Sequence, residues 1–115
     1  MRVAVHGITF PDFDRNAAFD PDDTVQLVEI VAGPSEGPGQ ELFQATVCTP
    51  TALSRMVADQ EVVVGRHWLF VESFTPNLVE GFLRKLINNI EGRDWDEVAA
   101  KLGRLAQYEF EDYTP

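Results

Sequence analysis

Apolar residues alternate with other residues from Arg2 to Phe10, and Val3, Val5 and Ile8 fall on one inner face if the strand slips near Gly7. Pro11 ends this predicted strand. Residues 11–23 place Asp12, Asp14, Asp20, Asp22 and Asp23 among proline and asparagine, the pattern of a polar loop, with Phe13 and Phe19 available to pin it to a core. β-Branched residues from Thr24 to Val31 predict a second strand and Glu41 to Cys48 a third. Pro34-Ser35-Glu36-Gly37-Pro38-Gly39 between them is turn chemistry, so the two strands form an antiparallel hairpin.

The second half reads as helical. Thr49 before Pro50 is an N-cap followed by proline at the first helical position, with Leu53, Met56 and Val57 along one side. Thr75-Pro76 repeats that start, and Leu78, Val79, Phe82, Leu83, Leu86, Ile87 and Ile90 recur at helical spacing until Gly92 stops the helix. Asp94 caps a third helix, with Glu97 three residues on and Trp95, Val98, Ala99, Leu102 and Leu105 as its inner stripe. Between the first two helices, the apolar run of residues 67–72 predicts a central strand covered on both faces, with Trp68 in the core. Tyr108-Glu109-Phe110-Glu111-Asp112-Tyr113 alternates aromatic with acidic residues, as a segment pairing at a sheet edge would. The expected architecture is α+β: one domain over residues 1–115, with a single antiparallel sheet of about four or five strands and two or three helices packed on one face.

Composition supports a packed domain. The 115 residues are 44% hydrophobic and 24% charged, and a chain of this size buries roughly two-thirds of its unfolded surface. Cys48 has no cysteine partner for a disulfide, which fits a reducing compartment. The start of the chain lacks a signal-type apolar region and no run approaches a membrane span, so a cytoplasmic protein without membrane contact is expected. Nineteen acidic residues against nine basic ones give a net charge of −10, which opposes direct nucleic-acid binding and favours encounter with a basic protein.

Candidate chemistry is sparse. The glycines at 33, 37 and 39 lie among prolines before a strand, where no phosphate loop forms. Cys48 within an apolar strand reads as a core residue. No histidine has metal-site spacing with another, and no metal or organic cofactor is implied. Glu109, Glu111 and Asp112 interleave with Tyr108, Phe110 and Tyr113. Rings supply buried area and carboxylates accept bidentate arginine bonds, a combination suited to recognition of a cationic partner. Trp95, in the first turn of its helix, is a further contact candidate.

Three blocks then carry a family resemblance: LFQATVCTP from Leu42 to Pro50, GRHWLFV from Gly65 to Val71, and GRDWDEVAAKLGRLAQYEFEDY from Gly92 to Tyr113. Together they resemble the immunity protein family eight of bacterial polymorphic-toxin systems, from about Glu41 onward. The matched positions are Cys48-Thr49-Pro50, Gly65-Arg66-His67, Trp95, Glu97, Lys101, Leu102 and the acidic-aromatic run 109–113. The chain departs from the family by carrying Ala106-Gln107-Tyr108 where an aromatic-rich segment precedes the closing motif. The resemblance implies a small cytoplasmic protein, not an enzyme, that protects its cell by binding the catalytic domain of a cognate toxin. The expected contact residues are Arg66, His67, Trp95, Tyr108, Glu109, Glu111, Asp112 and Tyr113, and a basic nuclease is one candidate toxin. Two other readings stay open: a small hydrolase or transferase using His67 with a C-terminal carboxylate, and a structural protein that self-associates through Tyr108, Phe110 and Tyr113. The state of association, monomer or homodimer, is open with them.

Overall fold

In the computed structural model, which describes residues 1–111, strand β1 (Val3–Thr9) pairs antiparallel with β2 (Val25–Pro34) and shifts register between Val5 and Gly7. The shift is the slip expected there. It lets Val3 and Ile8 both reach the core although they are five positions apart, which strict alternation forbids. β2 pairs antiparallel with β3 (Glu41–Cys48) from Val25↔Cys48 to Ala32↔Glu41, so the hairpin forms as read, with β2 running on to Pro34.

Helix α1 (Pro50–Gln60) begins at Thr49, whose side chain accepts from the Ala52 N–H. Strand β4 (Trp68–Phe70) follows, then α2 (Pro76–Asn88) capped by Thr75, α3 (Trp95–Leu102) capped by Asp94, and β5 (Gln107–Tyr108). All three predicted caps accept a backbone N–H three residues on, which supplies one of the orphan donors of each first turn. The fold is α+β, with a mostly antiparallel five-stranded sheet among the described residues in the order β1-β2-β3-β4.

Val28, Ile30 and Ala32 of β2 and Phe43, Ala45 and Val47 of β3 alternate onto one face, where they meet Val79, Leu83 and Ile87 of α2 and Val98, Ala99 and Leu102 of α3. Phe74, just before α2, is fully buried. The rings of Phe10 and Phe13 pack edge-on against it at 5.3 and 5.4 Å, and Phe13 meets Phe19 at 4.9 Å. Residues 11–23 are therefore pinned by Phe13 and Phe19 as expected, and the Phe74 N–H fixes the same loop by donating to the Pro21 carbonyl at 2.7 Å.

Several sequence expectations are corrected. The run from 67 to 72 is not a central strand: β4 has three residues, pairs parallel with the end of β3, and leaves Phe70 53% exposed. Trp68 and Phe70 share the face of Thr46 and Cys48, away from the main core, while Leu69 packs inward. Trp68 is half-buried, not a core residue. The parallel pairing follows from the β3-α1-β4 crossover. The apolar stripe of α2 is wider than the core beneath it, leaving Leu78, Phe82 and Leu86 exposed. The helix ends at Asn88, short of Gly92. Gly92 instead lies close to α3, where an added Cβ would stand 3.1 Å from Glu97 and from Val98.

Gly33 is a second close approach. A Cβ there would lie 2.1 Å from the Gly39 carbonyl oxygen, which belongs to backbone and cannot rotate away. Gly33→Ala should therefore push the β2–β3 hairpin apart and lower stability by roughly 2–3 kcal/mol. Chemical denaturation measures this, and a loss within experimental error would show that the turn yields at no cost.

Candidate partner-binding surface

β5 lies along the half of the β3 edge that β4 leaves free, pairing Phe43↔Tyr108 and Gln44↔Gln107. This register turns Tyr108 toward the core, where its ring stacks on Phe43 with centroids 4.8 Å apart. Trp95 meets the same Phe43 edge-on at 6.4 Å. The two rings are joined by Glu41 at the start of β3: the Trp95 indole N–H donates to Oε1 at 2.8 Å, and the Tyr108 hydroxyl donates to Oε2. Sequence reasoning missed Glu41. An acid opening a strand looks like a solvated residue, and its only signal is register, which places it beside the chain that returns to β3.

The remaining polar side chains hold β5 from its other side. The Glu109 N–H donates to the Leu42 carbonyl while its carboxylate accepts from the Leu42 N–H at 2.9 Å, so the side chain completes the ladder where the strand ends. Arg66 donates both terminal guanidinium nitrogens to Glu111, at 2.6 and 2.8 Å. His67 bonds through Nε2 to the Gly103 carbonyl at 2.8 Å, which ties the turn before β4 to the end of α3. His67 has φ 60°, a left-handed conformation that a non-glycine side chain adopts only where the surroundings enforce it. Its carbonyl then accepts from the Thr46 N–H at 2.9 Å, starting the parallel pairing.

Arg66, His67, Tyr108 and Glu111 thus surround one open hollow of ≈ 470 Å³ with Gly103 and Arg104. Glu109 sits beside it with Leu42 and Gln44. Trp95 is reached through Glu41 and does not line the hollow. Asp112 and Tyr113 lie outside the described residues. His67 and Glu111 share the hollow, yet the imidazole Nε2 is bonded to Gly103 and both carboxylate oxygens to Arg66. Among the described residues no hydrogen bond joins the two side chains. Glu97, another matched position, holds Arg93 at 2.6 Å, and Lys101 donates to the Glu91 carbonyl at 2.7 Å.

Cys48 is buried, and burial pushes its thiol pKa up, offset only in part by a backbone hydrogen bond at Leu53. That disfavours the thiolate, the form that reacts. Among the described residues no helix is long and apolar enough to cross a membrane, and no group of three or more His, Cys, Asp or Glu is placed to hold a metal ion.

These features define a small α+β domain whose polar groups near β5 hold one another in place. The family described as Immunity protein 8 matches residues 3–113, so the match extends through the first two strands as well as the three blocks, and the chain belongs to that family. It is an immunity protein by family. Neither a curated protein nor a solved structure gives a match.

Proposed function

We propose that this chain protects a bacterial cell from within its cytoplasm by binding a cognate toxin domain and covering its active site with the acidic, aromatic surface built around β5. The observation that carries the reading is the placement of Phe110. Its ring stands 46% exposed, edge-on to Tyr108 at 5.5 Å and flanked in sequence by Glu109 and Glu111. An exposed ring with carboxylates on both sides of it in sequence suits a cationic protein surface. Family membership and the net charge of −10 support the same conclusion.

The mechanism is exclusion. Where the toxin presents cationic groups meant for phosphate, the carboxylates of Glu109 and Glu111 take their place, and the substrate has no access. Arg66 holds Glu111 without consuming its acceptor capacity, because each oxygen accepts further bonds. Asp112 and Tyr113 extend the proposed contact along the chain, while Trp95 and His67 support it from beneath by fixing Tyr108 and the turn before β4. Acidic groups elsewhere steer the encounter: among the described residues Asp12, Asp14, Asp20, Asp22 and Glu72 have no ion pair.

The test is co-expression with the toxin domain encoded beside this gene, followed by affinity measurement on the purified pair. Rescue of growth and a stable complex are expected. Phe110→Ala should weaken the complex by at least 2 kcal/mol, about thirtyfold, as hot-spot aromatics do. The folded domain should lose less stability than the complex loses affinity, because Phe110 stands 46% exposed. Absence of both rescue and complex, or a scan in which Phe110, Glu109, Glu111 and Asp112 all prove neutral, would overturn the assignment of this surface.

A further inference from the structure

The outer face of α2 stays uncovered among the described residues. Leu78, Phe82 and Leu86 recur every fourth residue along it and stand 57%, 52% and 40% exposed, while Val79, Leu83 and Ile87 fill the core behind them. Three large apolar side chains in one exposed row are an interaction surface by ordinary standards.

Two further observations indicate what covers it. Gly81 lies beside Phe82 in the middle of the helix, exposed, with nothing within 4 Å of where a Cβ would stand. A mid-helix glycine weakens a helix relative to alanine, and none of the described residues uses the space it leaves. A notch next to a protruding ring is self-complementary. The charge pattern is the second observation: α2 carries Glu80 against Arg84 and Lys85, and so is net positive by one in a chain of −10. At the end of the row, Leu86, Ile90 and Leu105 line an open groove that adds Lys101 and Arg104 against Glu91. Acid is not in excess on this face, so two strongly acidic copies meet here with less repulsion than their net charge of −10 implies.

We propose that two copies of this chain associate through α2, with Phe82 of each helix seated over Gly81 of the other. Rows spaced by four residues interdigitate when two such helices cross. Under a two-fold axis near Phe82 an antiparallel pair sets Leu78 against Leu86 of the second copy, apolar on apolar, so one row satisfies both sides of an isologous interface. The association needs no toxin.

Light scattering coupled to size exclusion, on the wild-type chain from low micromolar to submillimolar concentration, tests this without any partner. The expected mass rises from 12.9 kDa to twice that value. Phe82→Glu should hold the mass at a single chain at every concentration while dilute samples melt as the parent does. Gly81→Ala should act in opposite directions, raising the melting temperature of the dilute chain and weakening association at least tenfold. A wild-type mass of one chain throughout overturns the proposal, as does association that survives Phe82→Glu or is untouched by Gly81→Ala. Because the readout is mass alone, its failure leaves toxin binding through β5 standing, and failure of toxin binding leaves this result standing.

Discussion

Phe74→Ala is expected to remove about 3–5 kcal/mol of stability, the largest loss of any single truncation considered for this fold. The ring is fully buried and receives Phe10 and Phe13 edge-on. Its loss leaves a cavity that neither can fill, because Phe10 directly follows β1 and Phe13 is held at its own turn by the Phe13 N–H to Phe10 carbonyl bond. The same residue precedes the Thr75 cap of α2 and anchors residues 11–23 through Pro21, so two segments loosen together. Thermal melting should fall by roughly 10–20 °C, with protease cutting first between Pro11 and Asp23. Phe74→Leu keeps most of the volume and should lose less than half as much. A drop of only a few degrees for the alanine variant would mean that the loop packs independently of the core.

Glu41→Ala is expected to cost about 3 kcal/mol, since two hydrogen bonds to a charged acceptor are lost together and each is worth about 1.5–3 kcal/mol. The Trp95 indole and the Tyr108 hydroxyl are both left without their acceptor in a half-buried setting. Glu41→Gln retains one acceptor oxygen and should recover about half of the loss. The effect should extend to recognition. β5 is two residues long and relies on these contacts for its position, so toxin affinity should fall although Glu41 is not among the proposed contact residues. Equal stability of parent and Glu41→Ala, by denaturant titration, would show that Phe43 stacking alone holds β5.

Much of the fold was legible because local chemistry and global packing agree. Thr49, Thr75 and Asp94 cap the three helices as their spacing predicts, and the slip near Gly7 is forced by Val3 and Ile8 needing the same face. The failures share a cause. Trp68-Leu69-Phe70 is apolar throughout, and such a run does not distinguish a covered central strand from a short edge strand whose outward side chains stay half-exposed. Leu78, Phe82 and Leu86 belong to the same period as the core positions of α2, so periodicity assigns them to the core while the sheet reaches only the neighbouring row. In α1, Ala52 is the buried residue, while Leu53 and Met56 are half-buried and Val57 is exposed.

The candidate site was half legible for a similar reason. Composition identified the carboxylates and rings near the end of the chain, and β5 does bring Tyr108, Glu109 and Glu111 to one edge with Arg66 and His67. Their internal partners were invisible, because Glu41, Leu42 and Gly103 are joined to them by register and helix placement, not by spacing in sequence. Motif residues here serve the frame and the surface at once.

The shallow burial of α1 divides the molecule into two tiers of stability. The helix is fastened at its start, where Thr49 exchanges bonds with Thr24, and by the exposed Arg55–Asp23 pair, while Ala52 is the residue it buries. Little apolar surface holds the turns beyond Arg55, so they open at far lower free energy than the β2–β3 hairpin. Inserted residues or a bulky label near Asp59 therefore disturb a segment that contributes little to global unfolding, which makes this helix the natural point for attaching a probe without disturbing β5.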